Sequence, residues 1–397
     1  MKLGLESLLL DEKKIGHLKN QRVGLVAHPA SIDRQCRHSL DLLKQQLNVT
    51  CAFGPQHGVK GDKQYNMEET YDEFSDEYQI PIFSLYGEVR RPTDSMMQTF
   101  DVLLFDLQDV GCRIFTYLAT MIYLLEACAQ HKKSIWILDR PNPAGRNIEG
   151  SLLQKDWFSF VGAAPTVMRH GLTLGELALW YAKRFNLDLD VQVVKMTDYY
   201  PTKGRYGWPM DQIPWVNPSP NIPRLSCVPT YNGTVMLEGT NLSEGRGTTV
   251  PLEIFGAPQF PAKKIIKWLD NYHPGLTSGT LLRPCFFEPT FNKHQNKLCE
   301  GIQIHIDHSD YDPKLYQPYR LMAAIFKAIR TIEPEYDLWA YFHYEYEKDR
   351  TPIDLISGST FLREWVDDSE SDWQEMENYL LQDEAAWKEE IQPFLLY

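Results

Sequence analysis

Gln56 and His57 stand side by side in Phe53-Gly54-Pro55-Gln56-His57-Gly58-Val59-Lys60-Gly61. The residues before them, Leu47 to Phe53, are mostly apolar or β-branched and read as a short buried strand. Pro55 cannot continue a ladder, and the flanking glycines permit backbone angles that other residues avoid. A strand that stops abruptly and presents polar side chains on a Gly-bounded turn is how an open α/β sheet offers chemistry at its carboxyl edge. The plainer use of such a turn is a βα loop in which His57 only caps a backbone group.

Five further clusters join polar and charged groups in the same way. Asp106-Leu107-Gln108-Asp109-Val110-Gly111-Cys112-Arg113 places two carboxylates and an arginine after an apolar run, and Asp139-Arg140-Pro141-Asn142-Pro143 follows the next one. Arg90-Arg91 follows a third strand, and Arg169-His170-Gly171 precedes a capping-box pattern, Thr173 to Glu176. Later, Leu237 to Thr249 holds Glu238, Glu244 and Arg246 among Gly239, Gly245 and Gly247, a composition that argues against helix. Asp–Arg pairs at strand ends often do no more than hold loops. Set along one sheet edge, however, arginines bind a carboxylate bidentately. Paired carboxyls can protonate a leaving group and support an oxocarbenium-like centre.

The elements needed to position these groups are legible. Strands are expected at 21–28, 47–53, 80–86, 101–106, 134–139 and 191–196, separated by helices such as 37–46 and 115–130. The continuous apolar run Asp101 to Asp106 reads as a central parallel strand. Strands alternating with helices imply right-handed βαβ units. The expected fold is α/β: a Rossmann-like, doubly wound, mostly parallel sheet over residues 1–225, then a smaller α+β domain over 226–397, with the active-site cleft between them. The proline-rich passage Trp208 to Pro229 marks the crossing. Helices are expected at 262–271, 318–332 and 373–387, with a strand at 301–306. Met67 to Tyr78 is acidic and reads as a solvated loop, a flap beside the site.

Composition excludes several classes. The 397 residues are 43% hydrophobic and 23% charged, with a formal net charge of −13. With no basic face to offset that charge, nucleic acid is not an expected partner. Seven scattered cysteines without CxxC spacing read as reduced thiols. No apolar run reaches membrane length and no leader-like segment opens the chain, so a cytoplasmic protein without a membrane partner is expected. Dispersed histidines and the absence of HExxH, GxSxG and GxGxxG leave no metal, serine-hydrolase or dinucleotide signature. Cys112 is the one weak hint of a thiol nucleophile. No oligomeric state follows from the sequence.

The series FGPQHGVKG, SLYGEVRRPT, DVLLFDLQDVGCRIFTY, LDRPNPAG, RHGLTLGELA, PWVNPSPNIP, LEGTNLSEGRGTT and PTFNKHQNKLCEGIQIHI resembles, in order and spacing, the NamZ-type exo-β-N-acetylmuramidases. These were long catalogued as a domain of unknown function. The resemblance runs from about Gly4 to about Leu355. It implies a Rossmann-like domain, a smaller second domain, and a cleft in which a terminal N-acetylmuramic acid is removed from peptidoglycan fragments without metal or organic cofactor. The small anionic sugar or muropeptide would meet Arg91, Arg113, Arg169, Asn221, Glu238, Asn241 and Arg246. Gln56, His57, Glu244 and Asp106 would form the catalytic group. One position departs from the family. Its turn reads Gly-Pro-Glu-His-Gly, with the Glu as proposed catalytic carboxyl, whereas this chain has Gln56. A carboxamide is not a Brønsted acid near neutral pH. Either another carboxyl serves, with Asp106, Asp109, Glu238 and Glu244 as candidates, or the chemistry is altered, or the protein binds muropeptides without cleaving them.

Overall fold

Six parallel strands and one antiparallel edge strand build the larger sheet. The computed structural model describes residues 1–61, 63, 67–203 and 205–397. In chain order the strands are β1 (Val23–Ala27), β2 (Val49–Gly54), β3 (Glu73–Ser75), β4 (Ile80–Ser84), β5 (Val102–Asp106), β6 (Ser134–Leu138) and β7 (Val191–Val194), arranged β3-β4-β2-β1-β5-β6-β7. Only β3 runs antiparallel, against β4. Counting the parallel strands alone, the order is 3-2-1-4-5-6, that of a doubly wound dinucleotide-type sheet. Register aligns the carboxyl ends: Val26 pairs with Phe53 and Ala27 with Asp106. Every residue of β1 and β5 is buried, as strands covered on both faces require.

β3 corrects one expectation. Within the acidic stretch, Glu73–Ser75 is a strand, mostly exposed, whose single carboxylate, Glu73, suits an unpaired sheet edge.

Two apolar layers cover the sheet. One gathers Leu5, Leu8 and Leu18 from short helices at the start of the chain with Leu40 and Leu43. The other begins with Phe105, Leu118 and Met121 and continues without a break into Ile302, Phe326 and Trp387 of the second half. That half carries an antiparallel sheet, β8 (Ile254–Ala257), β9 (Leu281–Phe287) and β10 (Cys299–His305), in the order β8-β10-β9. Only β10 among these has a counterpart in the expected elements.

The chain then returns to the first sheet. The helix Trp373–Ile391 seats Trp387 edge-on against Trp180 with ring centroids 4.9 Å apart. Trp387 Nε1 donates to the carbonyl of His170 at 2.9 Å, and Tyr397 donates its hydroxyl to Asp139 at 2.8 Å. Arg113 adds a second tie. Its guanidinium donates to the carbonyls of Ser151 and Thr166 in the first half and Ile356 and Ser357 in the second. No helix among the described residues is long and apolar enough to cross a membrane.

Candidate active site

β2 ends at Gly54, and the turn that follows is tightened by Gly58 N–H donating to the Pro55 carbonyl at 2.9 Å. His57 takes a left-handed backbone, φ 71°, and Gly58 follows at φ 73°. This conformation is strained for histidine and free for glycine. It turns both Gln56 and His57 inward, where they are 6% and 4% exposed. They line a narrow cavity with Phe115, Thr116 and Asn221 from the first half and Glu238, Arg246, Tyr344 and Glu345 from the second. The cleft thus takes residues from both halves.

Its polar groups form two linked chains. In the first, Thr116 donates its hydroxyl to Gln56 Oε1 at 2.7 Å, which turns the amide nitrogen towards Glu345 Oε1 at 3.5 Å. Tyr86 donates to the other oxygen of Glu345 at 2.8 Å. In the second, Arg246 donates to Glu238 at 2.6 Å and to Glu244 at 2.9 Å. Tyr344 donates to the second oxygen of Glu238 at 2.7 Å. Lys293 lies 3.2 Å from the far oxygen of Glu244.

The two chains treat their carboxyls differently. Burial pushes Glu345 up to about 7, assisted by the nearby Glu238 and opposed by Tyr86, Arg90 and Gln56. Among the described residues no guanidinium or ammonium reaches it. Burial would raise Glu244 as well, but Lys293 and Arg246 outweigh it and hold that carboxyl below its ordinary range. Burial brings His57 down to about 4, aided by Arg246 and opposed by its hydrogen bond to Lys63. Because Nδ1 sits 2.9 Å from the Lys63 carbonyl, it must be the donor, and Nε2 carries the lone pair. The cavity therefore holds a carboxyl that keeps its proton near neutrality, Glu238 paired with Arg246, and a neutral imidazole, with the charged Glu244 behind them. Divergent carboxyl environments of this kind are how acid and base roles are separated. Among the described residues no group of three or more His, Cys, Asp or Glu side chains is arranged to hold a metal.

Comparison with known proteins gives this arrangement a family. A model described as exo-β-N-acetylmuramidase NamZ, N-terminal, matches residues 23–226, and its C-terminal counterpart matches residues 229–397. The chain belongs to the NamZ family. It is 39% identical over 336 residues to the peptidoglycan β-N-acetylmuramidase NamZ of Bacillus subtilis (strain 168), covering 84% of this chain and 78% of that relative. Two crystal structures of DUF1343 family proteins from Bacteroides fragilis NCTC 9343 share its fold. One has a TM-score of 0.86 at 29% identity, the other 0.74 at 27%, and each alignment covers 100% of this chain and 98% of the other.

Of the residues expected from the NamZ resemblance, the structure brings together Gln56, His57, Asn221, Glu238 and Arg246. Glu244 sits one layer behind, steadying Arg246. The others are elsewhere. Asp106 is fully buried and engaged by Arg140 Nε at 2.6 Å and Nη2 at 3.0 Å, a pair that seals the sheet edge beside β1. Asp109 accepts from the Gly111 amide.

The expected convergence of Arg91, Arg113 and Arg169 does not occur. Arg91 lies at the surface against Glu126 and the Tyr123 ring. Arg113 is held by its four carbonyls, and Arg169 is buried against the carbonyl of Ala144. Asn241 donates to the carbonyls of Asp337 and Trp339. Cys112 is buried, and burial raises its thiol to about 12, which removes it as a nucleophile.

Glu345 is the residue that sequence reasoning missed. Its only signal was a single carboxylate between two tyrosines, Tyr344-Glu345-Tyr346, in a stretch with no regular periodicity. Tyr86 was read only as the end of the 80–86 strand, and Thr116 only as part of the helix 115–130.

Proposed function

We propose that the protein is an exo-acting glycoside hydrolase that releases terminal N-acetylmuramic acid from peptidoglycan fragments, with Glu345 as its general acid. What supports the substrate class is membership of the NamZ family and the activity named for the Bacillus subtilis relative. What supports the acid is one observation: Glu345 is a buried cavity carboxyl, shifted to about 7, hydrogen-bonded to the Gln56 that replaces the family's glutamate.

In this reading the proton leaves Glu345 for the glycosidic oxygen as the bond to the muramic acid breaks. Gln56, held by Thr116, keeps the carboxyl oriented. Glu238, fixed between Arg246 and Tyr344, supplies negative charge facing the oxocarbenium-like centre. His57 Nε2 offers an acceptor for the attacking water. Small fragments of this kind arise in cell-wall turnover, which would make reuse of the sugar the enzyme's setting.

Incubation with a MurNAc–GlcNAc disaccharide tests the reading, with free muramic acid quantified for wild type and Glu345→Gln. Release by wild type and its loss in the variant is the expected result. A wild type that binds the disaccharide without cleaving it, together with a cleaving Gln56→Glu variant, would show a silenced relative instead.

A further inference from the structure

The substrate carries a carboxylate on its lactyl ether, and a cation should meet it. Arg246 is engaged by Glu238 and Glu244, Lys293 approaches Glu244, Arg140 holds Asp106, and Arg113 gives both terminal nitrogens to carbonyls, which leaves only its Nε, like that of Arg169, without a partner among the described residues. Arg90 differs in leaving two nitrogens so. It makes one hydrogen bond, from Nη1 to the Gly87 carbonyl at 2.5 Å. Its Nε and Nη2 are buried and have no hydrogen-bond partner among the described residues. Buried guanidinium N–H groups without acceptors are costly, so something other than the fold should account for them.

The neighbours of Arg90 suggest what does. Its guanidinium carbon lies 4.8 Å from the centre of the Tyr86 ring, and the hydroxyl of that ring is bonded to Glu345. Arg90 is therefore one aromatic ring away from the proposed acid. The Tyr346 ring covers the guanidinium at 3.8 Å. Tyr346 in turn donates its hydroxyl to Glu69 at 2.9 Å, and the same Glu69 oxygen stands 3.8 Å from Arg90 Nη2. Glu69 is thus close enough to attract the arginine and too far to bond it. Both covering residues belong to irregular segments outside the sheet. Glu69 lies in the acidic stretch before β3. Tyr346 is half exposed and sits with Glu345 on two successive left-handed residues, φ 46° and 73°.

We propose that Arg90 is the specificity residue that receives the substrate's carboxylate, with Glu69 and Tyr346 covering it until the sugar displaces them. The claim rests on the muramic acid reading of the site and adds how that sugar is told apart from one lacking the lactyl group. It has a chemical consequence. Gln56, Tyr86, Tyr344, Tyr346, Glu238 and Arg90 are the polar and charged groups around Glu345, and Arg90 is the one cation among them that opposes its protonation. A carboxylate paired with Arg90 would cancel that opposition, so the acid would keep its proton best when the correct substrate is bound.

Calorimetric binding of free N-acetylmuramic acid and N-acetylglucosamine, alongside steady-state kinetics on the nitrophenyl β-glycosides of both sugars, tests this. Wild type should bind the muramic sugar more tightly. Arg90→Gln should weaken that binding and raise its KM roughly 10- to 100-fold, the worth of one charged hydrogen bond. The N-acetylglucosamine values should not change. Arg90→Lys should restore part of the difference, and Glu69→Gln, an exposed substitution, should strengthen muramic acid binding. Equal losses on both sugars, or a fall in kcat at constant KM, would make Arg90 a support for Glu345 and overturn the proposal. If wild type hydrolyses neither glycoside, the catalytic reading fails while the binding comparison still decides the role of Arg90.

Discussion

Two carboxyls at the carboxyl edge of the same sheet have opposite fates. Asp106, at the end of β5, faces Arg140 from the loop just beyond β6, and each satisfies the other in a dry pocket. Glu345 reaches the neighbouring edge from the second half and finds an amide and a phenol, but no cation in contact. The first arrangement closes the switch point where a dinucleotide-type sheet would ordinarily bind its ligand. The second leaves a proton to be used. Asp106, paired with its own arginine, is structural, whereas Glu345, held by neutral donors, keeps a proton available for chemistry.

The contrast can be broken at either end, and the largest effect is expected at Glu345. Glu345→Gln should lower kcat on the disaccharide by about 10²- to 10⁴-fold, the range of a lost general acid. Its thermal midpoint should stay close to wild type. A nitrophenyl leaving group needs less protonation, so the loss on that substrate should be smaller. Equal losses on the two substrates would remove Glu345 as the acid.

Asp106→Ala should do the reverse. Stranding Arg140 in a buried site costs about 3–5 kcal/mol of stability, read as a lower midpoint in urea. The pH profile of whatever protein remains folded should match wild type. A shifted profile would mean that Asp106 communicates with the chemistry after all.

The pH dependence follows from the sign of the Glu345 shift. An acid raised to about 7 is active when protonated, so kcat should hold below neutrality and fall as pH rises through about 7. The same shift acts on stability. Because the folded carboxyl holds its proton more tightly than the unfolded one, its contribution is complete below the ordinary value of 4.5 and declines up to about 7. Glu149, also raised to about 7 by burial, adds to that decline. Urea titrations at stepped pH should show stability decreasing over this window, with a shallower slope in Glu345→Gln.

The smallest effect is expected at Gln56. Gln56→Ala removes the long hydrogen bond to Glu345 together with the Thr116 contact, leaves the acid itself in place, and should cost about tenfold or less in kcat. Gln56→Glu would set two carboxyls side by side. They should share a proton and titrate as a coupled pair, broadening the pH profile. Turnover by wild type at a rate no lower than Gln56→Glu would show that the glutamate is dispensable here.

Much of this was visible along the chain. The apolar run before Asp106 and the Gly-bounded turn around Gln56 placed a parallel sheet and its reactive edge, because strand periodicity and turn chemistry are local properties. The glycines at 245 and 247 likewise announced the irregular loop that carries Arg246, but Glu238 and Gly239 belong to a 3₁₀ helix, Val235–Gly239, where the glycine composition had argued against helix. The strands β3, β8 and β9 escaped, since each depends on a partner strand more than on its own composition.

The pairing of charges was decided elsewhere. An arginine beside a strand end looks the same in sequence whether it will meet a carbonyl, a carboxylate or a substrate. Arg91, Arg113 and Arg169 were reasonable candidates until packing gave one a surface glutamate and the others buried carbonyls. Glu345 shows the converse: its sequence neighbourhood is unremarkable, and its shifted proton affinity comes from burial against Tyr86 and Gln56, 259 and 289 positions away. Composition and periodicity determined the strands, the turn and the family motifs, because those depend on near neighbours and on side-chain type. Which carboxyl keeps its proton depends on desolvation and on the nearest cation in space, and only the tertiary structure sets those.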